Sequence, residues 1–232
     1  MAITTTGKLP HILLTKGRVE ALTDGIFAIV MTLLVLELKV PDLPHTAGRD
    51  EILAKMKELR PFFFSFAITF VLSGSFWFFH HVLFHFIRQV TRPLVWLNIA
   101  FLMFVSLLPF STNFMGHFIR QPIAVMFYFG NQFVLALLLK AQWIYAERQG
   151  LMNPEANSVW KKHFAARTNA LILGYGAGWA IAFHDPEFSF QVMGIIMAGV
   201  LVLMRIRQRR EMRLEQEALT ATDAKGAKEK QD

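Results

Sequence analysis

The sequence contains no cysteine. Disulfides, thiolate metal sites and cysteine nucleophiles are therefore outside its chemistry. Charge is scarce as well: Asp, Glu, Lys and Arg make up 18% of the 232 residues, against about 25% in a soluble domain. That scarcity excludes a disordered chain. What fills the space is apolar, since 54% of the residues are hydrophobic and mean hydropathy is +0.39. So apolar a composition points to an all-α, polytopic membrane protein.

Apolar stretches of about 20 residues are long enough to cross a bilayer. Six are expected here, at about 18–40, 61–87, 93–115, 122–146, 164–183 and 188–204. Residues 42–60 are too charged for the bilayer core, but Ile52, Leu53, Met56 and Leu59 recur at helical spacing, which suggests an interfacial amphipathic turn. Residues 1–208 then form one six-helix transmembrane domain, and 209–232 a charged cytoplasmic tail. The N-terminus lacks the basic-then-apolar order of a secretory signal, so the first span is expected to stay attached. Gly174, Gly176 and Gly178, with Gly194, Ala198 and Gly199, are expected to let the fifth and sixth helices approach closely.

Lys and Arg outnumber Asp and Glu by 24 to 17, for a net charge of +7. A basic balance can mark a nucleic-acid binder, but these cations sit at the ends of apolar runs rather than in a surface stripe, so no nucleic acid is expected. Their placement encodes topology instead. With both termini cytoplasmic, eighteen of the 24 fall inside and six outside.

The first span carries most of the information. It reads Arg18, three residues, Leu22-Thr23-Asp24, then a run to Leu36 whose only hydroxyl is Thr32. An ionisable residue in a span is costly and needs protein or water around it, with a partner. Arg18 and Asp24 are six residues apart, so they point about 120° away from each other on a helix. Each must find its partner elsewhere. Leu33 and Leu36 fall within about 40° of Ile29 and form an aliphatic stripe with it. Thr32 flanks it at about 60° from Ile29, and Asp24 lies about 140° away.

The run from Arg18 through Leu22-Thr23-Asp24-Gly-Ile-Phe-Ala-Ile to Val40-Pro41 resembles the first helix of prokaryotic TMEM175-type potassium channels. Their signature there is Arg, three residues, then Phe-Ser-Asp; Leu22 and Thr23 replace the Phe and Ser. The resemblance continues through Trp77-Phe-Phe-His80-His81 and from Trp96-Leu-Asn98 to Ser106-Leu-Leu-Pro109-Phe110. It implies a homo-oligomer, a tetramer of six-helix subunits in the inner membrane of a bacterial cell, with the first helices around a central pore. Ile29, Leu33 and Leu36 would line that pore, Thr32 would add a hydroxyl layer, and Arg18, Thr23 and Asp24 would anchor the helix. Trp77, His80 and Asn98 are expected in the polar network that holds Arg18 or Asp24.

The implied chemistry is passage of potassium ions, with no cofactor. There is no TVGYG run and no re-entrant selectivity-filter loop. A ring of Ile29 side chains is expected instead to close the path by constriction and dewetting. No carboxylate lies on the stripe, so no divalent metal is expected in the pore. Two rivals remain. A secondary transporter would use Asp24 as a coupling site, although no internal repeat is visible. A membrane oxidoreductase would need the His80, His81 and His85 cluster to bind a metal or haem. No nucleophile–base constellation or phosphate loop supports an enzyme.

Overall fold

The computed structural model describes residues 15–154, 158–196, 198, 199 and 202. The expected tail at 209–232 lies outside them. Among the described residues up to 182, seven α-helices follow in order: α1 (Lys16–Leu36), α2 (Arg49–Glu58), α3 (Arg60–Phe86), α4 (Arg92–Ser106), α5 (Leu108–His117), α6 (Pro122–Arg148) and α7 (Ser158–Ala182). Pro61, Pro93, Pro109 and Pro122 each stand in the first turn of a helix, where the missing N–H would have had no partner anyway.

The expectation of six spans is not met. Among the described residues, four helical stretches are long and apolar enough to cross a membrane: Lys16–Leu36, Arg60–Phe86, Arg92–His117 and Pro122–Arg148. The fifth expected span became α7, whose 25 residues suffice in length. Its lysines 161 and 162, Arg167, Asn169 and three glycines dilute the apolar run below what hydrocarbon favours. The sixth lies partly outside the described residues. Its continuous described part, 186–196, is helical and rises only about 16 Å, about half the hydrocarbon thickness.

The third span is one apolar run but two helices. Pro109 supplies no N–H and its ring crowds the carbonyl four residues back, so the helix breaks at Leu107. Asn131 of α6 covers the break by donating to the Phe104 carbonyl at 3.3 Å. Irregular backbone at membrane depth is tolerated where protein supplies such a partner.

At one end, the α3–α4 and α6–α7 connections clasp each other. Arg88 N–H donates to the Leu151 carbonyl at 2.8 Å, and Asn153 N–H to that of Phe86 at 2.7 Å. Gly150, at φ +64°, ends α6 in the left-handed conformation, so that Leu151 N–H reaches back to Ala146. α6 packs along α7, α4 and α5, while α1 lies against α3, α4 and α5. Phe129 and Phe133 of α6 fill the space over Gly178 and Gly176. Those two glycines therefore serve the α6–α7 contact; the sixth span they were expected to meet lies partly outside the described residues. α2, the charged helix before α3, buries none of its residues.

Candidate functional site

α1 has two unlike faces. Val19, Thr23, Phe27, Val30 and Leu34 are buried, at spacings of four and three that keep one side turned into the bundle. Lipid tails are as apolar as these side chains, so close packing and hydrogen bonds hold the face, rather than escape from water. On the far side, Leu22, Gly25, Ile29, Thr32 and Leu36 alternate steps of three and four and are all exposed. Leu22 is 50%, Ile29 60% and Leu36 68% accessible. Leu33, at 40%, sits nearer the flank. The Thr32 hydroxyl donates to the Ile29 carbonyl at 2.8 Å and lies close to that of Ala28 at 3.1 Å. Its proton is thus spent on the helix, and its oxygen retains lone pairs.

The buried face is pinned by a chain of hydrogen bonds. Thr23 Oγ1 donates to the Val19 carbonyl at 3.0 Å and accepts from Asn98 Nδ2 at 3.1 Å. Asn98 Oδ1 faces His80 Nε2 at 2.8 Å. Because that amide oxygen only accepts, the imidazole must donate, which places a proton on Nε2. Thr23, Asn98 and His80 are all buried, and the imidazole is stacked between Phe84 and Phe101. An apolar enclosure makes each of these bonds costly to leave unmade.

Asp24 stands apart from that chain. Its Oδ1 accepts the Trp77 indole N–H at 2.8 Å, and the indole stacks on His81. α3 thus holds α1 through two neighbouring residues, Trp77 for Asp24 and His80, by way of Asn98, for Thr23. Arg18 does not join them. Its side chain is exposed and has no hydrogen-bond or ion-pair partner among the described residues. His81 and His85 are exposed while His80 is enclosed, so the three imidazoles face different surroundings.

One further contact was not visible in the sequence. Beyond the last turn of α1, Glu37 Oε2 accepts from Asn113 Nδ2 of α5. Both residues sit at the margin of apolar runs, a place where polar residues are common and carry no mark of a partner.

These features define a helical integral membrane protein whose first helix is fastened by polar side chains on one side and bare on the other. The family described as the endosomal/lysosomal potassium channel TMEM175 matches residues 18–109, the stretch that holds Thr23, Asp24, Trp77, His80 and Asn98. A potassium channel of Chryseobacterium sp. (strain P1-3) is 38% identical over 113 residues, covering 48% of this chain and 55% of its own. The chain thus spans about half the length of that relative. A potassium channel of Streptomyces collinus is 29% identical over 186 residues, covering 78% of this chain and 89% of its own. The crystal structure of a lysosomal potassium-selective channel TMEM175 homolog from Chamaesiphon minutus shares the fold, with a TM-score of 0.66 at 24% identity over 81% of this chain and 96% of that one. Over residues 18–109 the chain is similar to the TMEM175 family. That family is one of ion channels, not of enzymes.

Proposed function

We propose that the protein is a potassium-permeable cation channel, in which copies of α1 from four subunits surround the conduction path. The observation that carries this reading is the exposed seam of α1. Leu22, Gly25, Ile29, Thr32 and Leu36 repeat at the alternating three-and-four spacing by which helices meet one another along a common axis. A face built only to meet lipid has no need of that register, nor of a glycine and a threonine within it. The names of the Chryseobacterium and Streptomyces relatives support the choice of ion.

In this reading Ile29, Leu33 and Leu36 form successive aliphatic rings. A narrow apolar constriction sheds water, and an ion that must give up its hydration meets a barrier there. Ile29 and Leu36 face the path most directly and Leu33 reaches toward its neighbours. Thr32 contributes a hydroxyl layer whose oxygen lone pairs serve as weak ligands for a partly hydrated potassium ion. Thr23 and Asp24, held by Asn98, His80 and Trp77, set the angle of α1; Arg18, at its exposed end, pairs within the assembled oligomer. Both termini lie in the cytoplasm of a bacterial cell, with the protein in its inner membrane.

The test is potassium flux and single-channel recording of the reconstituted protein against its Ile29→Asn variant. A ring of amides wets the constriction, so conductance rises several-fold. Unchanged conductance and rectification remove Ile29 from the gate. Flux that saturates and follows a proton gradient replaces the channel with a transporter coupled at Asp24.

A further inference from the structure

Lys140 interrupts the apolar run of α6. An ionisable residue within a span is costly and calls for water or a partner of opposite charge. Lys140 is partly exposed and enters no hydrogen bond or ion pair among the described residues. The carboxylate that acts on it is that of Glu147, two turns on, whose Oε1 already has Lys161 Nζ at 3.6 Å. One anion cannot balance two ammonium groups, so a further negative charge is needed beside Lys140.

Asn169 of α7 stands opposite this lysine. Phe133 of α6 covers Gly176 of α7, where an added Cβ would meet its ring at 3.1 Å. Seven residues make two turns to within about 20° and rise about 10 Å. Two turns on from Phe133 is Lys140; two turns back from Gly176, on the antiparallel neighbour, is Asn169. Two turns further, Glu147 meets Lys161. The register thus holds above and below, and it puts Lys140 and Asn169 at one level on one flank of the α6–α7 pair. Asn169 is exposed. It is also one of the polar residues that dilute α7, and it has no apolar neighbour to satisfy its amide.

Depth narrows the choice of ligand. Arg120, just before α6, is exposed and pairs with Glu187 at 3.6 Å, which sets that end at an aqueous margin. Lys140 stands eighteen residues past Pro122, about 27 Å along the helix, in the last few ångströms of a hydrocarbon layer about 30 Å thick. Lipid phosphates lie just beyond that level, within reach of a lysine stem. One turn deeper, Leu137 and Leu173 are 41% and 67% exposed, so the flank between the pair and the membrane centre is apolar.

We propose that Lys140 and Asn169 bind the phosphate of an anionic phospholipid, whose acyl chains lie along Leu137 and Leu173. The ammonium supplies the charge and the Asn169 amide donates to a phosphate oxygen. A zwitterionic headgroup brings its own cation, which competes with Lys140 for the same phosphate. The site is distinct from the α1 seam, and its occupancy is measured without reference to conduction.

The full-length protein in neutral detergent is titrated with phosphatidylglycerol, with phosphatidylcholine of the same chains and with inorganic phosphate, while thermal unfolding is followed. Phosphatidylglycerol should raise the midpoint saturably. Lys140→Met should need about fivefold more of it, the ratio that one cation beside an anionic headgroup gives. Asn169→Leu should shift the same curve in the same direction, and Lys140→Arg should leave it near the parent. None of the three should move the phosphatidylcholine curve. Arg88→Met removes an exposed cation from the α3–α4 turn and measures general attraction. Shifts of equal size in Arg88→Met and Lys140→Met overturn the site, as does a phosphatidylglycerol curve that neither Lys140→Met nor Asn169→Leu moves. No saturable rise with phosphatidylglycerol, as when a neighbouring subunit covers the flank, does the same. Phosphatidylcholine as potent as phosphatidylglycerol overturns the selection by charge. An equal rise with inorganic phosphate overturns the lipid as its source.

Discussion

Trp77 of α3 holds Asp24 of α1 by a single indole N–H to carboxylate bond of 2.8 Å. The pair sits beside Thr23, so the hydrogen bond through Asn98 and the one through Trp77 clamp adjacent positions of one helix turn. Replacing Trp77 by Phe keeps an aromatic ring and removes the donor. We expect a loss of about 1–2 kcal/mol, the range for a hydrogen bond to a charged group tempered by the smaller values found within membranes. Asp24→Asn keeps an acceptor oxygen and should cost less. Thermal unfolding of the purified variants measures both. A Trp77→Phe protein that melts with the parent would show that the bond contributes nothing to holding α1.

How far the fold could be read from the chain depended on what kind of signal each element carries. Apolar length is a local property, and the stretches at 18–40, 61–87, 93–115 and 122–146 match α1, α3, the α4–α5 pair and α6 within a few residues. One of the two further expected spans falls on α7, an apolar run diluted by Arg167, Asn169 and glycine, and the other lies partly outside the described residues. Pro109 sat in plain view inside an apolar run, yet a proline in a membrane helix does not by itself say whether the helix bends or breaks. At the site, the two faces of α1 follow from arithmetic at about 100° per residue. Which polar residue meets which does not. Trp77 and Asp24 are 53 positions apart, and Glu37 and Asn113 are 76 apart. Only the packing of the helices brings them together.

Gly178 of α7 and Gly194 of the helical stretch 186–196 offer a test of packing that is independent of any channel. A Cβ at Gly178 would come within 2.9 Å of the Phe129 ring, closer than side chains tolerate, whereas one at Gly194 would meet nothing within 4 Å among the described residues. Phe129 is fully buried and has little room to retreat. Gly178→Ala should therefore destabilise the protein by about 1–3 kcal/mol through overpacking. Gly194→Ala should be neutral or slightly stabilising, because alanine favours the helix. Melting temperatures of the two variants, measured side by side in the same detergent, decide the matter. Equal values would mean that the α6–α7 contact is looser than these distances require.

Glu37 and Asn113 join the end of α1 to α5, just past the break at Leu107. The pair is asymmetric, with an amide donor on α5 and a carboxylate acceptor on α1, and that asymmetry can be reversed. Asn113→Asp places two carboxylates face to face and should cost more than Asn113→Ala, which only removes the donor. Adding Glu37→Gln to Asn113→Asp rebuilds an amide–carboxylate pair with the roles exchanged. The double variant should recover most of the lost stability, a coupling of about 0.5–2 kcal/mol read from a double-mutant cycle on thermal unfolding. Additive effects, with no recovery in the double variant, would mean that the two side chains do not interact in the folded protein. The side-chain hydrogen bonds from α1 to the rest of its subunit would then lie only in its N-terminal half, at Lys16, Thr23 and Asp24, and packing of Val30 and Leu34 would hold its Leu36 end.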